Sequence, residues 1–211
     1  MRNFIQSLTR SENILVRDSA FKLHHFLDKS VADYRLDDTQ KARLEDYLHS
    51  NELTHTDFGD PLKAHGIIAF SFGDSEDVNK ELADVSVSLM KNNAFLDAHL
   101  QQEVAVHALD KVTNINVIRN DDYQTTADVA RVALEHSVGR NVIVVAQSWH
   151  AKRCIETCEQ AGLNVVGLRT VQSFPKNDPQ PWVRNPINWV LKESNRCFAT
   201  GYEISKELQL A

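Results

Sequence analysis

The chain has 211 residues, 42% of them apolar and 25% charged, with a net charge of −6. That length supports one domain with a substantial core plus a helical extension, and the composition excludes a disordered chain. The basic residues are dispersed, which leaves no electrostatic footprint for nucleic acid. No apolar run approaches the ~20 residues needed to cross a bilayer.

Residues 1–60 read as a helical amino-terminal extension. Its first stretch, MRNFIQSLTRSENILVRD, carries no apolar segment followed by a small-residue cleavage site, so a cytoplasmic protein is expected. Phe21, Phe26 and Leu27 give partial apolar spacing, and residues 39–48 form a clearer amphipathic stretch that Asp37, Asp38 or Thr39 can cap. His24, His25, His49 and His55 fall here and read as solvated helix-face side chains. Gly59-Asp60-Pro61 punctuates the end of the extension and opens the main domain, residues 61–211.

From Gly66 the rhythm changes. Gly66–Phe72 is a compact apolar run and the first expected strand, and residues 75–91 follow with Val78, Leu82, Val85 and Leu89 at helical spacing. Ala94-Phe95-Leu96 is a weaker second strand, with a helix around residues 102–109. Residues 115–118 form the third strand and 126–136 its helix. Residues 142–146 form the fourth strand and 149–160 its helix, and 164–168 form a fifth strand. Strands alternating with helices argue for βαβ units and a parallel sheet, and their continuous apolar character argues for a sheet covered on both faces. The expected fold is a three-layer, Rossmann-like α/β fold with a mostly parallel five-stranded sheet. Residues 175–186, rich in proline, asparagine and aspartate, form a long loop before a last helix, and Trp182 and Trp189 suggest that this tail packs back. Cys154, Cys158 and Cys197 are an odd count, which argues against a disulfide framework. Cys154 and Cys158 share a helix face, where buried cysteines commonly pack cores.

In a doubly wound sheet the carboxyl ends of the strands bind ligands, and the first and fourth strands are neighbours. That architecture places Ser71, Gly73 and Asp74 beside Gln147, Ser148 and His150 across one crevice. No G-x-G-x-x-G follows the first strand, so the dinucleotide fingerprint is absent. Asp74, Glu76 and Asp77 either cap the next helix or meet a cation, a ribose diol or an amino group. Thr125, Thr126 and Asp128 open a helix in a capping-box pattern, and the same hydroxyls and amides can hold an anion. Glu103, early in another helix, is a similar case. His150 lies in the first turn after the fourth strand, where it serves as general acid or base or as a structural hydrogen-bond partner. Arg153 is three residues on and on the same side. Ser148 is either an N-cap or a ligand contact, and without G-x-S-x-G it is no nucleophile elbow. Arg184, on the long loop, either clamps an anion or is a plain surface side chain.

Thr126-Ala127-Asp128-Val129-Ala130, Val144–Arg153 with its Ser148-Trp149-His150-Ala151-Lys152-Arg153 core, and Ala161-Gly162 resemble the SanA/ElyC/YdcF-like family. That bacterial family pairs a Thr-x-Glu-Asn-Ala motif with a strand ending in Thr/Ser-x-x-His-x-x-Arg and a later Ala-Gly. The resemblance covers roughly residues 66–190. Through it, Thr126, Ala130, His150 and Arg153 carry over directly, Asp128 stands for the family glutamate, and Glu103 matches an acidic residue after the second strand. Val129 departs from the motif asparagine and Thr125 from the asparagine before the threonine. Asp97-Ala98-His99 stands where the family has a glycine pair, and of the glycines after the first strand only Gly73 remains. The resemblance implies a Rossmann-like fold and a nucleotide-like ligand, with S-adenosylmethionine a candidate; separately, the carboxylates after the first strand mean that a phosphate ligand needs Arg153, Arg184 or a divalent metal. The membrane-anchored members' link to the cell envelope does not carry over.

Three functions follow as expectations. The first is binding of a nucleotide-like small molecule at the sheet edge by Ser71, Gly73, Asp74, Glu103, Thr125, Thr126, Gln147, Ser148, Arg153 and Arg184. The second is a hydrolase or transferase acting on a phosphorylated or nucleotide-like substrate, with His150 as acid/base and Asp74 or Asp128 as its partner or as a metal ligand. The third is a protein in which the helical extension docks a protein partner.

Overall fold

The computed structural model describes Tyr34 and residues 36–119, 124–137 and 139–210. The helix-face histidines His24 and His25, with Phe21, Phe26 and Leu27, lie outside the described residues.

The chain divides into two compact units, one of residues 54–173 and one of residues 1–53 with 174–211. The sequence reading puts a single boundary near residue 60 and leaves the tail with the sheet. The division instead groups the tail with the amino-terminal helix.

The sheet unit follows chain order β1 (Phe58–Gly59), a 3-10 turn (Pro61–Lys63), β2 (Gly66–Ala69), α2 (Glu76–Asn92), β3 (Asp97–Gln101) and α3 (Gln102–Ala105), the helix of the other unit being α1 (Asp38–Ser50). It continues with β4 (Ile115–Ile118), α4 (Thr126–His136), β5 (Asn141–Gln147), α5 (Ala151–Ala161) and β6 (Asn164–Val171). The sheet is six-stranded, in the order β1-β6-β5-β2-β3-β4. Every pairing is parallel except that of β1 with β6. The five expected strands are therefore joined by a two-residue antiparallel strand at the edge. Its apolar signal is too short to read, and Gly59 takes a left-handed φ of 78° against the Val166 carbonyl, where a Cβ would collide.

β2 and β5 are buried along almost their whole length. Side chains alternate across a strand, and one face of the sheet presents Ile68, Phe70, Val142, Val144, Ala146 and Leu168 to Val129, Ala130 and Ala133 of α4 and to Ala151, Cys154 and Cys158 of α5. The small residues of α4 and α5 let both helices sit close to the sheet. The opposite face carries Ile67 and Ile143, both fully buried, and α2 contributes Val78, Leu82 and Val87 to the core. α5 ends at Gly162, whose φ of 98° only glycine adopts readily, with Leu163 N–H donating to Cys158 O at 3.0 Å.

The second strand lies later than Ala94-Phe95-Leu96. β3 is Asp97–Gln101, and Phe95 is 94% exposed. Polar ends conceal this strand from an apolar-run reading. Asp97 Oδ2 accepts from His99 Nε2 at 2.8 Å, and Asp97 Oδ1 accepts from Asn116 Nδ2 of β4 at 2.7 Å. α3 also stops after four residues, well short of Leu109.

The other unit contains α1, a 3-10 turn (Pro181–Val183), α6 (Pro186–Asn195) and α7 (Gly201–Leu208), so the tail carries two helices rather than one. Asp37 caps α1 in a reciprocal capping box with Gln40. Tyr34 Oη donates to Asn188 Oδ1 at 2.6 Å, and Asn188 Nδ2 donates to the Pro181 carbonyl at 2.8 Å. Trp182 and Trp189 are both buried, and Trp182 meets Tyr202 edge-on at 4.8 Å. Among the described residues no helix is long and apolar enough to cross a membrane.

Candidate functional site

The chain runs outward from β2 through β3 to β4, then returns to β5 on the other side of β2. The connections leaving the carboxyl ends of β2 and β5 therefore diverge, the position where open α/β sheets form a ligand-binding crevice. Ala69 pairs with Val145, and Phe70 N–H donates to Val145 O at 3.0 Å. Residues 71–74 and 147–150 consequently leave the sheet side by side.

His150 is the centre of this edge. It occupies the N-cap position of α5 with a helical backbone, and its side chain does not cap. Ser148 is thus not the N-cap. The imidazole is 6% exposed, with the Phe70 ring edge-on at 6.4 Å and the Phe72 ring tilted at 6.1 Å between centroids. Arg153 Nη2 lies 2.7 Å from His150 Nε2. A guanidinium can only donate, so Nε2 is the acceptor and the neutral ring carries its proton on Nδ1. Thr126 Oγ1 stands 3.4 Å from the same nitrogen. The helices α4 and α5 pack together through small residues, which is what brings Thr126 to His150 across 24 positions of sequence.

The neighbouring residues divide into those that face the crevice and those that build it. Gln147 and Ser148 are fully buried. Gln147 Oε1 accepts from Trp149 N–H at 2.7 Å while its Nε2 donates to Ser173 O at 3.3 Å. Ser148 Oγ donates to Gln172 Oε1 at 3.0 Å, and its N–H donates to Val171 O at 2.9 Å. Both side chains brace the turn from β5 into α5. Ser71 and Gly73 are partly exposed and Asp74 is exposed on the loop after β2. Gly73 has a φ of 76°, which fits a tight turn that a side chain would strain.

That loop is held by two residues the sequence reading did not single out. Asn79, on the buried face of α2 and 1% exposed, accepts from Phe72 N–H at 3.0 Å through Oδ1. Its Nδ2 donates to Gly73 O at 3.0 Å and Ser75 O at 2.9 Å. Gln101, the last residue of β3, accepts from Ser71 N–H at 3.1 Å. A lone asparagine on the apolar face of an otherwise regular helix is the signal that marks Asn79.

Thr125 and Asp128 form the reciprocal capping box of α4. The Asp128 carboxylate accepts from Thr125 N–H at 3.1 Å and from Thr125 Oγ1 at 2.6 Å, and these bonds hold its carboxyl below the usual range. Asp128 is therefore engaged as a cap, and its hydrogen bonds run to Thr125 rather than to His150. Glu103 sits just beyond β3, where Oε1 accepts from Gln102 Nε2 at 3.2 Å while Oε2 is buried without a hydrogen-bond partner. Arg184 belongs to the helical unit, and its Nε donates to Asp178 O at 2.6 Å across the turn that opens the 3-10 segment. Among the described residues no group of three or more His, Cys, Asp or Glu is arranged to hold a metal ion.

The chain matches no protein-family model, no curated protein and no solved structure.

Proposed function

We propose that the sheet unit is a Rossmann-like small-molecule-binding domain of the SanA/ElyC/YdcF type, taking a nucleotide-like ligand that carries a carboxylate or phosphate group in the crevice between the β2 and β5 loops. The parallel strands run β4-β3-β2-β5-β6, which in chain order of these five is the 3-2-1-4-5 succession of doubly wound nucleotide-binding sheets. The observation that carries the reading is the convergence of Arg153, His150 and Thr126 at the switch point. Arg153 spends one donor on an uncharged imidazole, a partner that an incoming carboxylate or phosphate oxygen outcompetes. Thr126 adds a hydroxyl, and α5 presents the positive end of its dipole. Asp74 on the facing loop suits a ribose diol or an amino group. S-adenosylmethionine is a candidate because it combines a carboxylate, an amino group and a ribose diol.

Binding is favoured over hydrolysis or group transfer that uses Asp128 as the acid/base partner of His150 by the position of that carboxylate. An acid/base pair needs its two groups within hydrogen-bond reach, and the Asp128 carboxylate is committed to Thr125. The test is a thermal-shift screen of the full chain against adenine nucleotides, S-adenosylmethionine and divalent metals, with His150→Ala and Arg153→Ala beside it. A ligand at a hundred times its dissociation constant should stabilise the folded state by roughly 2.7 kcal/mol. A shift abolished in both variants supports the reading. A shift retained in both removes the ligand from this crevice.

A further inference from the structure

The helical unit contains a cavity of about 360 Å3 bordered by the first turns of α1, the end of α6 and α7. All its lining residues belong to that unit. Gln40 and Asn195 are buried beneath it, and Ile204 and Leu208 give it apolar surface.

Arg43 and Glu207 line this cavity with opposite charges, beside the Asp37 carboxylate that caps α1, yet each is held by a neutral amide. Arg43 Nη1 donates to Asn195 Oδ1 at 3.2 Å, and the guanidinium lies 3.5 Å over the Phe198 ring. Glu207 Oε1 accepts from Gln40 Nε2 at 2.6 Å. The other end of that amide, Gln40 Oε1, accepts from Asp37 N–H at 3.0 Å, which fixes its orientation. Gln40 and Arg43 are three residues apart on α1, so they share a face with Cβ atoms about 5–6 Å apart. Among the described residues neither Arg43 nor Glu207 has an ion-pair partner. A cation and an anion lining one cavity, each pre-oriented by a neutral amide and not paired with the other, complement a ligand that carries both charges. The guanidinium offers a planar fork to a carboxylate. The free oxygen of Glu207 accepts from an ammonium. The apolar wall of Ile204 and Leu208 remains for a hydrocarbon side chain. The cavity is at the low end of the roughly 300–1,000 Å3 range of small-molecule sites, which suits an amino acid better than a nucleotide.

We infer that this cavity is a second small-molecule site, specific for an α-amino acid with an apolar side chain, which binds carboxylate to Arg43 and ammonium to Glu207. It is independent of the crevice at His150. The experiment is isothermal titration of the full chain with L-leucine, L-methionine and L-phenylalanine, alongside leucinamide and N-acetyl-leucine. Arg43→Gln, Glu207→Gln and His150→Ala are titrated with the same probes after their melting curves are checked. Saturable binding of at least one free amino acid is expected. Either charge-removing substitution in the cavity should weaken it about tenfold or more, because each removes a charge-assisted bond, and His150→Ala should leave it unchanged. Leucinamide, lacking the anion, and N-acetyl-leucine, lacking the cation, should bind correspondingly weakly. No saturable binding of any free amino acid overturns the proposal. So does equal binding of the two blocked analogues, or binding that survives Glu207→Gln, an exposed substitution that leaves the fold's core untouched.

Discussion

Replacing Asn79 by alanine tests how the crevice is built. The substitution removes an acceptor from Phe72 N–H and a donor from the carbonyls of Gly73 and Ser75. Phe72 is 1% exposed, so water cannot readily replace the lost acceptor. An unsatisfied buried amide costs about 1–3 kcal/mol. Gly73 and Ser75 are partly exposed, and water can take over at their carbonyls for a few tenths of a kcal/mol each. Alanine returns roughly 0.6 kcal/mol in helix propensity at this position in α2. The net loss is about 2 kcal/mol, which for a chain of this size lowers the melting temperature by about 4–8 °C. Urea denaturation monitored by circular dichroism gives the free energy, and amide hydrogen exchange at Phe72 reads the bond itself. The variant should lose protection at Phe72 while the central β5 amides keep theirs apart from the global change. A melting temperature unchanged within a degree, with Phe72 still protected, would refute the assignment of Asn79 as the brace of this loop.

Other predictions follow from the same contacts. In 15N-detected NMR of histidine side chains, His150 should show an unprotonated Nε2 and a protonated Nδ1 near pH 8, and Arg153→Gln should shift it toward a mixture of tautomers; the opposite tautomer in the parent chain would contradict the Arg153 bond. Asp128 is held below the usual carboxylate range mainly by its hydrogen bond from the Thr125 side chain, and also by Thr125 N–H. Its folded pKa is depressed, so its stabilisation is present above the ordinary carboxylate pKa and is lost as pH falls below about 4. Asp128→Asn should accordingly flatten the acid limb of the stability profile by a small amount, since the group is largely exposed, and an unaltered limb would count against the cap. Burial pushes the Cys158 thiol up to about 12 and Cys154 is fully buried, whereas Cys197 is exposed. A thiol reagent near pH 8 should therefore label one cysteine rapidly in the native chain and three after denaturation, and rapid native labelling of all three would show that α5 does not pack as described.

The legible part of the fold is the part written in apolar runs and caps. β5 carries an unbroken Val142–Ala146, and α4 opens on Thr125 with Asp128 three residues later, so their limits are visible in the sequence. β3 is not visible in the same way. Its Asp97, His99 and Gln101 are polar groups that hydrogen-bond within the sheet unit, while the apolar Phe95 nearby points to solvent. β1 is shorter than any periodicity, and only pairing with β6 gives it meaning. At the site, the adjacency of β2 and β5 follows from the βαβ rhythm, and with it the position of His150 and Arg153. The roles within that edge do not follow. Whether Gln147 and Ser148 face a ligand or brace a turn depends on Ser173 and Gln172, about 25 residues away. Asn79 and Gln101 act on the β2 loop from neighbouring elements; the lone asparagine on the apolar face of α2 is visible in the sequence, but the loop it reaches is not. Arg184 reads as a clamp only while the tail is assumed to serve the sheet, whereas it holds its own turn in the helical unit.

The central claim is that the carboxylate or phosphate group of a nucleotide-like ligand enters between the β2 and β5 loops and takes over the Arg153 donor. Its most direct measurement is a 1H–15N NMR titration of the labelled chain with adenosine monophosphate and, in parallel, S-adenosylmethionine, following the Arg153 side chain and the amides of residues 71–74, 126 and 150–153. Saturable shifts concentrated on those residues are expected, with the His150 ring nitrogens moving together with the Arg153 guanidinium. Saturable shifts that leave Arg153 and His150 unmoved, or no shifts with either compound, would contradict it.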